Sequence, residues 1–434
     1  MLIDYWNFVS LYSKAKKWKF SKCSEIREWV KNEENNLKIL YDELISDTYK
    51  IWKPIRYISK KWDILREIIY LPFRDRIVQY IVHQALYSII ENLSYNDIYW
   101  GFIWKWTLYW VRRISKFMRS CSDNFTKDAW ILKLDIKSFF LSIDKDILWD
   151  KLLNLVELKK YKHPEYDRSA IVSLMRQIIF KDYRDFRDIS DFELKNKYPI
   201  HKSIISKKDN CWLPHWNLTS QLFANLYLHD LDVFIKNELW IKYYGRYVDD
   251  FIIIHNDKNY LLDCIKRIRE FLNNRLKLTL HQNKIYLQHI SKWVNFLWVM
   301  LYPYYSILWK KTIYNWNRKI KNLKNLDNPV QILMSYDWIA KHFSNYKLRQ
   351  QRFQEYKQIF WYDYRWFFDT WINKDTWTYY DKKWYDQEWF NKKWIHRKTK
   401  SKYNPLWWDK DWINKYTKSY FDKYWYDQNG LKRN

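Results

Sequence analysis

Two adjacent carboxylates in the segment YVDD are the residues of this chain best placed to do chemistry. Asp249 and Asp250 form a corner between two apolar, β-rich arms, so both side chains are expected at one end of a sheet. A third acid, Asp135, ends the predicted strand AWILKLD. Carboxylate oxygens favour Mg²⁺ over zinc, and two ions about 3.5–4 Å apart would stabilise the attacking and leaving oxygens of an in-line displacement. The predicted chemistry is phosphoryl transfer, although an Asp-Asp pair alone is more often an exposed turn.

The elements that must position these acids are predicted to be both helices and strands. Residues 1–50 alternate apolar and charged residues at helical spacing, and 57–72 is typical of a basic β-hairpin before a buried helix at 74–90. Long helical patterns also occupy 218–239 and 260–276, the second with its basic residues outward. Strands that carry the acids would therefore have helices to pack against them, which indicates an α+β protein.

The charge balance points to a polyanionic partner. The 434 residues include 77 Lys and Arg against 49 Asp and Glu, a formal net charge of +28. This excess is larger than solubility requires and suits a surface that lies along nucleic acid. The cysteines are scattered without a C-x-x-C pair, so neither a disulfide framework nor a zinc site is indicated, and a reducing, cytoplasmic setting is expected. No apolar run approaches the roughly 18 residues that span a bilayer, so membrane insertion is not expected.

Glycine is nearly absent and tryptophan is abundant. The chain has 3 Gly and 30 Trp, whereas average usage of about 7% predicts roughly 30 glycines. Turns and helix ends need residues with positive φ, which only glycine adopts without steric cost. In the C-terminal repeats the two residues share one position, because Gly430 follows Trp425 at the spacing that separates Trp384 from Trp389. We hypothesise that many tryptophans are encoded by UGA and are glycine in the natural protein. A truly tryptophan-rich chain is the alternative.

The order of the motifs resembles that of the reverse transcriptases. In that family a segment like LKLDIKSFF (132–140) precedes one like YVDD (247–250), and a segment like WLPHWNLTSQLFANLYLHDLD (212–232) lies between them. The motif WNLTSQ (216–221) ends in Ser-Gln, as the corresponding motif does in the similar enzymes of diversity-generating retroelements. In intron and retron enzymes, this motif usually ends in Ser-Pro. Further matches are KKWDILREI (60–68), IWKWTLYWVRR (103–113), HQNKIYL (281–287), NFLWV (295–299) and SYDWIAKHF (335–343).

The resemblance implies roles in catalysis. Asp135 and Asp249, with Asp250 in support, would ligate two Mg²⁺ ions, with Mn²⁺ as an alternative metal. Phe140 would be an aromatic gate whose ring clashes with a ribose 2′-OH, so that the enzyme selects deoxynucleotides. Lys284 matches a candidate general acid for the departure of pyrophosphate. Two simpler interpretations remain open: Phe140 is an ordinary core residue, and Lys284 is a surface charge.

The resemblance also implies a nucleotide pocket. Arg66 would contact the incoming triphosphate, since a planar guanidinium can bind phosphate oxygens in pairs. Ser220 and Gln221 would border the pocket, and family analogy links Gln221 to low copying fidelity. Trp216, like Trp212, stands where the family has glycine, so the recoding hypothesis would restore the pattern at both positions.

The fold implied by the resemblance is a right-hand polymerase of class α+β, with fingers, an antiparallel palm sheet and a thumb. We expect an N-terminal helical region at 1–50, fingers and palm at 51–304, a helical thumb at 305–358 and a low-complexity tail at 359–434, for which disorder is one interpretation. The implied partners are a template RNA, a primer or growing cDNA, deoxynucleoside triphosphates and, for the retroelement subtype, a basic accessory protein. No membrane partner is implied.

Two rival functions remain open on sequence grounds. An intron, retron or phage-defence reverse transcriptase would share the metal site but use another RNA. The Ser-Gln ending and the absence of a zinc-binding endonuclease segment argue against the intron type. A catalytically silent nucleic-acid-binding protein is the second rival, above all if Trp216 and Trp298 are true tryptophans that fill space meant for substrate.

Overall fold

The structure is a computed structural model of the chain, and it describes residues 4–17, 24–61, 64–102, 107–157, 166–206, 210–214, 217–321 and 329–359. The chain divides after Tyr304 into two compact units. Helices and antiparallel strands both occur, which confirms the predicted α+β class. Within the described ranges, no helix is long and apolar enough to cross a bilayer.

The first unit begins with helices and a hairpin, as the sequence predicts. The elements here are α1 (Tyr5–Lys17), α2 (Ser24–Lys31), α3 (Glu33–Ile45), β1 (Ile55–Lys61), β2 (Ile64–Tyr70), α4 (Phe73–Leu93) and α5 (Thr107–Cys121). α4 is buried along most of its length, because its apolar residues occupy nearly all faces of the helix. The predicted N-terminal helices, basic hairpin and buried helix are thus confirmed.

The rest of the first unit alternates helices and strands. Its elements are β3 (Trp130–Asp135), α6 (Phe139–Ser142), α7 (Lys145–Glu157), α8 (Arg168–Phe180), β4 (Arg187–Asp188), α9 (Phe192–Lys197), α10 (Leu218–Tyr227), α11 (His229–Val233), β5 (Tyr243–Tyr247), β6 (Asp250–His255), α12 (Lys258–Leu276), β7 (Tyr286–His289), β8 (Val294–Phe296) and β9 (Val299–Leu301). The helical stretch predicted at 218–239 is confirmed as α10, α11 and a π-helical segment, Phe234–Glu238.

A small sheet forms around the N-terminal hairpin, with strand order β2-β1-β4. β1 and β2 are antiparallel, and β4 adds to β1 in parallel. The buried guanidinium of Arg56 joins all three strands, because its Nε donates to Glu67 on β2 and its Nη1 donates to Asp188 on β4, each at 2.7 Å. Both carboxylates compensate a charge that would otherwise be costly to bury.

The central sheet has strand order β5-β6-β3-β7, and its strands are antiparallel throughout. Side chains alternate between its two faces. Leu132, Leu134, Phe251 and Ile253 face the main core of the unit, which includes residues of α4, α10 and α12. The opposite face of β6 is also buried, at Ile252 and Ile254.

Helix α5 covers this second face. It contacts β5, β6 and β9, and the ring of Trp110 stacks on Tyr247 of β5 with their centroids 5.5 Å apart. The ring of Phe296 on β8 lies beneath Lys133 of β3, whose Nζ is 5.2 Å from the ring centroid. A sheet that is buried on both faces holds its strand ends rigidly, and the acidic residues lie at those ends.

The second unit is helical after one short strand. Its described elements are β10 (Ser306–Leu308), α13 (Lys310–Lys321), α14 (Pro329–Lys341) and α15 (Tyr346–Ile359). Fully buried Trp316 stacks on Tyr336, with their centroids 5.7 Å apart, and Arg349 donates to both oxygens of Asp337. The helices predicted after residue 305 are confirmed. The thumb role stays a prediction, and the tail beyond residue 359 lies outside the described residues.

Candidate active site

The structure brings the three predicted acids to one end of the central sheet. Asp135, the last residue of β3, pairs directly with Asp250, the first residue of β6. Asp249 lies in the turn that leads into β6, and its carbonyl accepts a hydrogen bond from the amide of Ile136 at 3.3 Å. The backbone of the turn is therefore tied to the end of β3.

The alternation of side chains explains why the acids share a face. Directly paired residues point to the same side of an antiparallel sheet, so Asp135 and Asp250 project together. Lys133 lies two residues before Asp135 and projects to this side as well. The sequence LKLD therefore places one cation and one anion on the acidic face, and two leucines on the core face.

The electrostatics show that the carboxylates interact. The pKa of Asp249 is raised to about 7. Burial is the largest cause, and the charges of Asp135 and Asp250 are the next largest. Burial also raises the pKa of Asp250 above its usual range, although Lys133 opposes this shift. Like charges that are partly withdrawn from water cannot all ionise freely. The site is thus short of positive charge, which a bound cation would supply.

Two lysines provide the counter-charges within the site. Nζ of Lys284 donates to both carboxylate oxygens of Asp135, at 2.9 and 3.0 Å. Nζ of Lys133 lies 3.4 Å from Oδ2 of Asp250. Burial disfavours the charge of Lys284, but the hydrogen bond to Asp135 and the surrounding carboxylates outweigh this effect and raise its pKa. The predicted general acid therefore contacts a predicted metal ligand.

The donor set suits a hard divalent cation. Carboxylate oxygens are the ligands that Mg²⁺ and Mn²⁺ prefer, and burial, together with the charges of Asp135 and Asp250, raises the pKa of Asp249. Across the part of the chain that the structure describes, no group of three acidic, histidine or cysteine side chains is arranged so that it could hold a metal ion. The oxygens of Asp135 are instead bonded to Lys284. Ligation by Asp135 would thus require Lys284 to release this carboxylate.

The predicted aromatic gate lies in the short helix that follows Asp135. Phe140 is 7% exposed and Phe139 is 2% exposed, and both belong to the main core. The carbonyl of Phe140 accepts a hydrogen bond from the amide of Leu213 at 2.9 Å. Ser138 enters this helix with a φ of 50°. The core reading of Phe140 is compatible with this burial, and its role as a gate stays a prediction.

The predicted pocket residues lie in different parts of the first unit. Ser220 is buried in the first turn of α10, and Gln221 beside it is half-buried. Arg66 is exposed on β2, where it pairs with Ser59, and makes no hydrogen bond or ion pair with the three aspartates. Trp216 lies outside the described residues. Their grouping around one nucleotide therefore stays a prediction.

Two residues near the acids were missed by the sequence reasoning. Lys133 pairs with Asp250, and its position two residues before Asp135 is a signal that could have revealed it. Arg246 is buried behind the turn and donates to the carbonyl of Val248 at 3.0 Å. Its main partner, Asp232, lies in another element, so no local pattern could have identified this pair.

Comparison with known proteins gives a family match and several more distant similarities. Residues 58–323, more than half of the chain, match the family model described as reverse transcriptase (RNA-dependent DNA polymerase). The chain is 30% identical over 164 residues to an uncharacterised 91 kDa protein in a cob intron of Schizosaccharomyces pombe. This match covers 38% of the chain and 16% of the yeast protein.

Several solved structures that are similar to this chain are telomerases. That of Candida albicans, in complex with a fragment of telomeric RNA, has a TM-score of 0.46 at 14% identity and covers 72% of this chain. An apo telomerase of Candida tropicalis truncated from its C-terminal domain has a TM-score of 0.42 at 14% identity and covers 61% of this chain. The chain spans 56% and 58% of these two proteins, respectively.

Proposed function

The chain belongs to the reverse transcriptase family, and we propose that it is an RNA-directed DNA polymerase that synthesises cDNA on an RNA template. The observation that carries this proposal is the direct pairing of Asp135 with Asp250, with Asp249 in the adjoining turn. This arrangement suits the transfer of a nucleotide to a primer 3′-hydroxyl with release of pyrophosphate. Primer extension on an RNA template, compared with an Asp249→Asn, Asp250→Asn double variant, tests the proposal. Equal incorporation by both proteins would favour a silent nucleic-acid-binding protein instead.

In the proposed mechanism, Asp135 and Asp249 would hold two Mg²⁺ ions, with Asp250 in support. When bound, the ions neutralise the charge that develops on the attacking and leaving oxygens. Lys284 acts from the same site, since its Nζ already lies within hydrogen-bond distance of Asp135. It donates a proton to the departing pyrophosphate as the bond between the α- and β-phosphates breaks. Lys133 stays with Asp250 and limits repulsion among the carboxylates.

The nucleotide would be held by residues around this site. Arg66 binds the triphosphate through its guanidinium, which is exposed on β2 and available for phosphate oxygens. Ser220, Gln221 and the residue at position 216 border the base. Phe140 excludes the ribose 2′-hydroxyl once the primer, template and nucleotide are bound. These assignments come from the family pattern, and the exposure of Arg66 supports one of them.

The Phe140→Val variant tests the sugar gate. We expect the ratio of ribonucleotide to deoxynucleotide incorporation to rise about tenfold, because a smaller side chain leaves room for a hydroxyl. Phe139→Val is the matched control, since it removes the same atoms from the neighbouring buried ring. Steady-state incorporation of both nucleotide types by both variants gives the answer. A similar change in the control would assign the effect to core packing and not to a gate.

The basic surplus gives the polymerase a phosphate-binding surface for template RNA and primer. We expect the affinity for an RNA–DNA duplex to fall linearly on a plot of log K against log salt. Each neutralised phosphate should contribute a slope of about −0.9. Fluorescence anisotropy at several salt concentrations measures this slope. A salt-independent affinity would contradict binding through the backbone phosphates.

Two subtypes are consistent with the family. The Ser-Gln ending at Ser220 and Gln221 favours an enzyme of a diversity-generating retroelement, which copies with errors at adenines and works with a basic accessory protein. The similarity to a protein in a cob intron favours an intron-type enzyme as the second candidate. The DNA around the gene separates them. Near-identical repeats that differ at adenine positions support the retroelement, and their absence favours an intron, retron or phage-defence enzyme.

The free cysteines support a reducing compartment, in agreement with a cytoplasmic enzyme. Among the described residues, Cys121 and Cys264 are free thiols. Disulfides form and persist mainly in oxidising compartments, and free buried thiols are typical of reducing ones. We therefore propose that cDNA synthesis takes place in the cytoplasm.

Backbone conformations support glycine at some tryptophan positions. Trp212 has a φ of 108° and Trp240 has a φ of 48°, in the region that glycine adopts at no steric cost. Trp240 follows the π-helical segment, where the amide of Ile241 donates back to the carbonyl of Ile235 at 3.1 Å. A left-handed residue at such a helix end is most often glycine. Protein sequencing from the native host would identify the residues at 212 and 240.

Replacement of Trp240 by glycine tests this backbone argument directly. Trp240 is 83% exposed, so the change removes strain and little packing, and we expect the free energy of unfolding to rise by about 1 kcal/mol. Trp6 in α1 is 80% exposed and serves as the control. Trp6→Gly should lower the free energy of unfolding by up to about 1 kcal/mol, because Trp6 lies in the first turn of α1 and glycine is a poor helix former. Denaturant unfolding of both variants measures whether the free energy of unfolding rises or falls. A loss of stability in both variants would contradict the argument.

A further inference from the structure

A buried arginine lies directly behind the turn that carries Asp249. Arg246 on β5 is 1% exposed, and its guanidinium forms a bidentate ion pair with Asp232 of α11. Nε donates to Oδ1 at 2.7 Å and Nη2 donates to Oδ2 at 2.6 Å. Tyr244 also donates its hydroxyl to Oδ1 of Asp232, at 2.6 Å. Both charges are thus fully paired, and the geometry of the guanidinium is fixed.

The remaining nitrogen of this guanidinium reaches the turn itself. Nη1 donates to the carbonyl of Val248 at 3.0 Å. Val248 has a φ of 59°, a left-handed conformation that is strained for a β-branched residue. A strained conformation persists only where its surroundings hold it in place. The bond from Arg246 is one such restraint, and the bond from the Ile136 amide to the Asp249 carbonyl is another.

Arg246 acts from the face of the sheet opposite the carboxylates. It pairs with Phe251, whose side chain lies in the main core, whereas Asp135 and Asp250 project from the other face. The main chain of Arg246 is also anchored, because its amide donates to Asp97 and its carbonyl accepts from Tyr99. Its side chain therefore influences the acidic face through the backbone of the turn, and not by contact with substrate.

We propose that Arg246 is a positioning residue, which holds the Val248 carbonyl and thereby the strained turn that presents Asp249 beside Asp135. Asp232 orients the guanidinium for this task. The catalytic part of this inference rests on the proposed polymerase function. The positioning part concerns the turn alone and can be measured without activity.

The test combines Arg246→Lys with Val248→Gly. Lysine keeps the charge opposite Asp232. Its single ammonium group cannot replace the planar guanidinium, which binds both oxygens of this carboxylate and the Val248 carbonyl at once. Valine at 248 should then leave the left-handed region, whereas glycine adopts that region without strain. The reporter is the amide of Ile136, which is protected by the Asp249 carbonyl. Hydrogen exchange followed by mass spectrometry measures the protection of this amide whether or not the protein synthesises DNA.

We expect Arg246→Lys to speed exchange of the Ile136 amide about tenfold and the added Val248→Gly to slow it again. In primer extension, kcat should fall about tenfold with little change in the KM for nucleotide, and the second substitution should recover part of this loss. Arg56→Lys is the matched control, since it weakens another buried arginine that bridges two carboxylates. In the Arg56→Lys variant, the Ile136 amide should exchange at the wild-type rate.

The outcomes separate this inference from the proposed function. Unchanged protection of Ile136 in Arg246→Lys would overturn the positioning role, as would equal loss of protection in Arg56→Lys. If Val248→Gly gave no recovery of protection, the link through the strained turn would be wrong. A wild-type protein that is inactive in primer extension would count against the polymerase, and the exchange results would still decide the role of Arg246.

Discussion

The Asp249→Asn variant should lose RNA-templated nucleotide incorporation by about 10³-fold or more, a loss of about 4 kcal/mol in transition-state stabilisation. Asparagine keeps the size of the side chain but removes the charge that a divalent cation needs. Asp249 lies next to the pair Asp135 and Asp250, so its loss leaves an incomplete ligand set. The rate of single-nucleotide extension on an RNA template, at saturating Mg²⁺, measures the effect.

The fold and the binding of primer–template should survive this change. Removal of one of three mutually repelling carboxylates relieves repulsion, so thermal unfolding should not occur at a lower temperature than in the wild type. Asp263→Asn is the control, since this exposed aspartate lies on α12 away from the turn. A variant that extends primers as fast as this control would contradict a catalytic role for Asp249.

Lys284→Met should lower kcat about 100-fold, which is the usual contribution of a well-placed general acid. Methionine keeps the length of the side chain but removes the ammonium group that donates to Asp135. The KM for nucleotide should change little if the lysine acts on the departing pyrophosphate and not on substrate binding. Single-turnover extension rates at saturating nucleotide isolate the chemical step.

An alternative outcome would show that Lys284 is only a counter-ion. In that case, Lys284→Met would bind divalent cations more tightly, because Asp135 would lose its competing partner, and kcat would stay near the wild-type value. Lys266→Met is the control for a general loss of positive charge, since Lys266 is an exposed lysine on α12. A hundredfold loss in this control would remove the argument for a specific proton donor.

The convergence of the acids was predictable in two steps, one from local patterns and one from the order of the motifs. The two apolar arms around Asp249 and Asp250 predict antiparallel strands with the acids at their corner, and the structure has β5 and β6 there. The segment that ends at Asp135 predicts a strand whose end could meet that corner. The order of the motifs supplied the pairing partner, since spacing alone does not say which strands are neighbours.

The supporting contacts were not predictable because they join residues far apart in the chain. The pairing of β4 with β1 joins strands separated by more than a hundred residues, and β4 has only two residues. The ion pair of Arg246 with Asp232 depends on how α11 packs behind β5. Likewise, the burial of Phe140 follows from tertiary packing, because its sequence neighbours alone allow either a core residue or a gate.

The most direct test of the account is the position of Mn²⁺ in crystals of the protein with primer, template RNA and an incoming nucleotide. The proposed mechanism predicts anomalous peaks about 2.1 Å from carboxylate oxygens of Asp135 and Asp249, with Lys284 released from Asp135. Peaks elsewhere, or an intact ion pair between Lys284 and Asp135 with no metal bound beside it, would contradict the account.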